Sequence, residues 1–80
     1  MELKEVLKNY RLSGFEIEFK DLYGNKYNKK DLSVKQLFNI EDLEVRDVQI
    51  YFRLKKAIFV LIGLYELIKE DKWYETIYKL

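Results

Sequence analysis

The run from Ala57 to Tyr65, AIFVLIGLY, passes nine residues without a charge, and any fold open to an 80-residue chain has to bury it. A bilayer span takes about 20 predominantly apolar residues. This run is less than half that length, and Lys55, Lys56 and Glu66 bound it on both sides. No membrane insertion is expected, and the run is read as core.

Its periodicity supports a helix. Ile40, Leu43, Asp47, Ile50, Leu54, Ala57, Leu61, Leu64 and Ile68 alternate spacings of three and four, and Asp47 is the one polar member. A competing pattern overlaps it, because Val48, Ile50, Phe52 and Leu54 alternate with Gln49, Tyr51 and Arg53 as in a strand. Between Val48 and Ile62, however, no Gly, Pro, Asn, Asp or Ser is present to turn one element into another. The expectation is therefore a long amphipathic helix from Asp47 onward, with a strand to about Leu54 and a helix from Lys55 as the alternative.

On that helix Ala57, Ile58, Val60, Leu61, Leu64, Tyr65, Leu67 and Ile68 form the core-facing arc. The opposite stripe sets Phe59, Ile62 and Gly63 among Lys55, Lys56, Glu66 and Glu70. A glycine inside a helix costs about 1 kcal/mol relative to alanine, which points to a close approach beside it. An apolar centre with a polar rim is also what a partner surface looks like. The plain reading covers Phe59 and Ile62 with the chain's own tail or hairpin. The functional reading covers them with a partner.

Upstream, Leu3, Val6, Leu7 and Tyr10 define an amphipathic N-terminal helix over residues 2–11, which Ser13-Gly14 ends. Phe15, Ile17 and Phe19 then alternate with Glu16, Glu18 and Lys20. Asp21, Gly24 and Asn25 supply turn chemistry, so residues 15–30 read as an antiparallel β-hairpin. Asp31 or Ser33 caps a short helix from Val34 to Phe38, and Asn39 is placed to cap another behind which Glu41, Asp42 and Glu44 complement the helix dipole. The tail reads as a last helical turn or an edge strand. The whole is expected to be α+β, a small single domain over residues 1–80.

Chemistry is narrowed mainly by what the composition lacks. Without cysteine or histidine there is no thiol nucleophile, no disulfide, and neither of the commonest transition-metal ligands. Two serines and one threonine have no base nearby in sequence, and no glycine loop suited to phosphate appears. No catalytic residue, metal site or cofactor is assigned, and enzymatic activity is not expected. The opening MELKEVLKNY has no continuous apolar segment of the secretory kind, so a cytoplasmic location is expected.

Three functional readings remain. Fifteen basic and fourteen acidic residues leave a net charge of +1, which provides no long-range field for nucleic acid. The leading reading is a small protein-binding module, with Phe59, Ile62, Gly63, Lys55, Glu66, Trp73, Tyr74 and Tyr78 as partner-binding candidates. Abundant Lys, Ile, Asn, Tyr and Phe suggest an AT-rich genome, and with the small size an inhibitor or modulator from a phage or mobile element. The second reading is a nucleic-acid-binding module in which Tyr23, Lys26, Tyr27, Lys29 and Lys30 stack bases and track phosphates. The third is a self-assembling structural subunit, of which a homodimer is the simplest form, since near-neutral charge favours association. Glu16 and Glu18 are read as the solvated face of a strand.

Overall fold

Residues 56–61, most of the apolar run's first two-thirds, form the strand at the heart of a four-stranded sheet. The computed structural model describes residues 1–70. Its elements in chain order are α1 (Leu3–Leu7), β1 (Glu16–Lys20), β2 (Lys26–Asn28), a 3-10 turn (Lys29–Asp31), α2 (Val34–Ile40), β3 (Val45–Tyr51) and β4 (Lys56–Leu61). A further helix, α3, occupies residues 64–70. The architecture is α+β with a mixed sheet in the order β2-β1-β4-β3. No helix among the described residues is long and apolar enough to cross a membrane.

The expected long helix from Asp47 is overturned. Residues 45–51 and 56–61 are two strands paired antiparallel, with Val48 opposite Phe59 and Ile50 opposite Ala57. The alternative is right in its strand, which runs Val45–Tyr51 and stops short of Leu54, and wrong in its helix from Lys55, which stands in a turn before β4. Two physical facts explain the misreading. In β4 Ile58 is buried on the helix-free face as Ala57, Phe59 and Leu61 are on the other, so the strand reads as continuous apolar sequence rather than as alternation. The turn at residues 52–55 needs no glycine because Lys55 itself adopts the left-handed region, at φ 49°.

Two strand pairs lie side by side with their inner strands parallel. β1 pairs antiparallel with β2 and parallel with β4, so that Ile17 lies beside Ala57 and Phe19 beside Phe59. Alternation then places Ile17, Phe19, Tyr27, Val48, Ile50, Ala57, Phe59 and Leu61 on one face. Leu3 and Val6 of α1, Ile40 of α2, and Leu64 and Ile68 of α3 join that face in a single apolar cluster. The helices therefore cover one side of the sheet. On the other side Ile58 is buried, in register with Glu18 and Gln49.

Local chemistry fixes the helices. α1 is shorter than the expected 2–11; its first N–H groups find acceptors in another loop, Leu3 N donating to Leu43 O at 2.9 Å and Lys4 N to Glu41 O at 3.0 Å. Ser33, rather than Asp31, caps α2 through a reciprocal pair with Gln36, a capping box. Asn39 lies inside α2 and caps nothing, and the acidic run after it turns into β3 instead of opening a helix. Gly63 is not mid-helix: at φ 87° it makes the turn between β4 and α3.

Candidate functional site

Strand directions divide the loops between two ends of the sheet. The β1–β2 loop (residues 21–25), the α2–β3 loop (41–44) and the β4–α3 turn (62–63) gather at one, the Asp21 end. The approach to β1 (12–15), the segment after β2 (29–33) and the β3–β4 turn (52–55) gather at the other, the Phe52 end.

At the first end Asp21 organises the loop. Its side chain is buried, Oδ1 accepting from the N–H groups of Tyr23 and Asn25 at 2.9 Å each. Oδ2 accepts from Asn25 Nδ2 at 2.9 Å and from the Tyr27 hydroxyl at 3.3 Å. Burial pushes the Asp21 carboxyl up, but the donors from Asn25, Tyr23 and Tyr27 outweigh it and hold it below the ordinary carboxylate value. Tyr27 moves the other way: its burial, then the Asp21 charge, raise the phenol above its ordinary value.

This loop geometry leaves its tip apolar and outward. Tyr23 is 72% exposed, and its ring meets Tyr65 of α3 with centroids 4.8 Å apart. Leu22, Tyr23, Ile62, Gly63, Tyr65 and Glu66 line one hollow of about 270 Å³. Lys69 lies 5.8 Å from the Tyr65 ring centroid, at the hollow's edge.

Three of the residues expected to bind a partner, Ile62, Gly63 and Glu66, are thus brought together, and Ile62 is 38% exposed. Phe59 is not among them. It has no exposure, because it is the central residue of the central strand and packs against Phe19 at 6.4 Å. Lys55 stands at the opposite end of β4. Trp73, Tyr74 and Tyr78 lie outside the described residues. Leu22 and Tyr65 were missed as site residues, since only the tertiary fold sets the β1–β2 loop beside the start of α3.

The five residues expected to hold nucleic acid are dispersed. Tyr23 belongs to the Asp21 end, Tyr27 faces the core, and Lys26 lies on the helix-free face of the sheet. Lys29 and Lys30 reach the Phe52 end, where they line a second, wider hollow of about 780 Å³ with Leu12, Phe15, Ile17, Leu32 and Leu37. Beside it the turn Phe52-Arg53-Leu54-Lys55 projects, Phe52 76% and Leu54 71% exposed, with Phe52 edge-on to Phe15 at 6.1 Å. Glu18 is not on a plain solvated face: it is largely covered and pairs with Lys56 at 3.2 Å. Comparison with protein-family profiles, curated proteins and solved structures finds no match to the chain.

Proposed function

We propose that this protein is a non-enzymatic binding module that docks on the surface of another protein through its Asp21 end. One observation carries the reading: Tyr23, Leu22 and Ile62 stand exposed around a hollow rather than inside the core, with the Tyr23 ring against the half-buried Tyr65. Tyrosine presents a large rigid apolar body with a polar tip, which is why it recurs at the energetic centres of interfaces. Asp21 ties down the loop that carries Tyr23, so little conformational freedom is lost on docking. The lack of histidine and cysteine supports a role that needs neither a general base nor a thiol.

The test is capture of proteins from the native host by tagged chain, comparing wild type with Tyr23→Asp and Ile62→Asp. Both variants are expected to unfold cooperatively, as followed by circular dichroism, and to lose captured proteins that wild type retains. Unchanged capture by folded variants overturns the reading.

A further inference from the structure

We propose that the turn between β3 and β4 is a lipid-facing tip, by which the protein rests on the surface of an anionic bilayer. The contact is peripheral, since no helix among the described residues is long and apolar enough to cross. It does not rest on the reading of the Asp21 end, which lies at the other end of the sheet.

Exposure is the first ground. Every residue from Tyr51 to Lys55 is exposed, and Tyr51, Phe52 and Leu54 among them are large and apolar. Apolar surface of this kind marks a protein or a membrane contact. Phe52 meets the rest of the fold edge-on at Phe15, and Leu54 has no place in the apolar cluster. Both stand on a projecting turn rather than around a hollow, so their partner has to yield around them. Lipid does so without a preformed pocket.

Charge is the second ground. From Val48 to Tyr65 the chain has no Asp or Glu, while Arg53 and Lys55 alternate with Phe52 and Leu54. Both cations are exposed and neither forms an ion pair among the described residues, whereas Lys56 pairs with Glu18. Lys29 and Lys30 stand at the same end with the carboxylates of Asp31 and Glu16, and Glu16 accepts from Asn28 Nδ2. Those carboxylates lie on neighbouring segments; the turn itself carries cations alone. Basic side chains interleaved with apolar ones reach lipid phosphates while the apolar ones enter the acyl boundary. A nucleic acid has no such use for Leu54, which offers no ring for a base to stack on.

The backbone of the turn agrees. Lys55 N donates to Phe52 O at 3.3 Å and Lys55 O accepts from Glu16 N at 2.7 Å, so these polar groups find partners within the chain when water is excluded. Lys55 also holds φ 49°, where glycine is at ease. Strain of that kind persists where a side chain serves something other than the fold. With this turn seated on lipid, the Asp21 end is left facing the solvent.

The experiment is co-sedimentation of the full chain with vesicles of phosphatidylcholine and phosphatidylserine in equal parts, against vesicles of phosphatidylcholine alone. Wild type is expected to pellet with the anionic vesicles, far less with the neutral ones, and less as salt screens the headgroups. Phe52→Ser and Leu54→Ser are each expected to lower the bound fraction. Lys55→Gly, which relieves the backbone strain, is expected to weaken binding about fivefold, the worth of one basic residue near such a surface. Leu54→Ser, outside the apolar cluster, decides the matter if Phe52→Ser fails to fold by circular dichroism. Wild type that stays in the supernatant overturns the proposal, and so does unchanged pelleting of folded Leu54→Ser or Lys55→Gly. Capture of a host protein that these two variants lose, without vesicle binding, assigns the tip to a protein and overturns it as well. Tyr23 and Ile62 take no part in vesicle binding, so its failure leaves the docking reading of the Asp21 end standing.

Discussion

Phe59 packs on Phe19, its register partner on the adjacent parallel strand, with ring centroids 6.4 Å apart and no solvent exposure on Phe59. Emptying that position removes the centre of the core. Phe59→Ala is expected to lower unfolding free energy by about 3–5 kcal/mol, a large share of what so small a domain possesses. Phe59→Asp is expected to leave the chain unfolded, whereas Ile62→Asp, three residues on and partly exposed, is expected to stay within about 1 kcal/mol of wild type. Urea titrations followed by circular dichroism measure both, and equal losses at the two positions contradict this placement.

The contact between Tyr27 and Asp21 predicts two pH limits. The folded Asp21 carboxyl titrates below its unfolded value, so its contribution is complete at neutral pH and is lost as pH falls from about 4 through the folded value. The Tyr27 phenol is raised, so its contribution is complete below about 10 and is lost as pH rises through the folded value. Asp21→Ala strands three donors of the β1–β2 loop and the Tyr27 hydroxyl of β2, and is expected to cost about 2–3 kcal/mol at neutral pH. Its deficit relative to wild type is expected to shrink in acid. Thermal melts across the pH range decide this, and a deficit that stays constant down to the acid transition is the contrary result.

At Gly63 the restraint is the backbone rather than space. A Cβ built there meets Leu43 Cδ2 at 3.5 Å, an ordinary contact, but φ of 87° is disfavoured for any L side chain. Gly63→Ala is expected to destabilise by about 1–2 kcal/mol. Gly63→Asn, which tolerates the left-handed region better, is expected to recover part of that loss; the melting temperatures of the two variants give the comparison.

Lys55 presents the inverse case, a side chain held at φ 49° where glycine is at ease. Lys55→Gly is expected to stabilise the fold by up to ~1 kcal/mol, the relief of left-handed strain less the added freedom of the unfolded chain. A drop in melting temperature argues that the lysine makes contacts that repay its strain.

Much of the first half was legible because its signals are local. The alternation from Phe15 to Lys20 and the Asp21, Gly24, Asn25 turn residues do sit on two antiparallel strands and their connection, and Ser33 and Gln36 carry a helix start within four residues. The second half was not, because its decisive facts are tertiary. Nothing local says that residues 57–61 lie between two other strands, and the 3-4 spacing from Ile40 to Ile68 arises across two strands and a helix rather than within one. The site was half legible for the same reason. Ile62, Gly63 and Glu66 could be found as an oddly apolar stripe, but Tyr23 was grouped with Lys29 and Lys30, which the fold sends to the opposite end.

The parallel pairing of β1 with β4 also governs when the chain becomes a protein. Everything from residue 21 to residue 55, including both edge strands, lies in sequence between the two strands that form the middle of the sheet. Long-range parallel pairing of this kind closes slowly, because the intervening loop loses its freedom before the central contacts repay it. No earlier stretch can stand in for β4, which carries Ala57, Phe59 and Leu61 of the core. A nascent chain therefore holds at most the β1–β2 pair, with β3 unpaired and Phe19 lacking its β4 partner, until residue 61 has emerged.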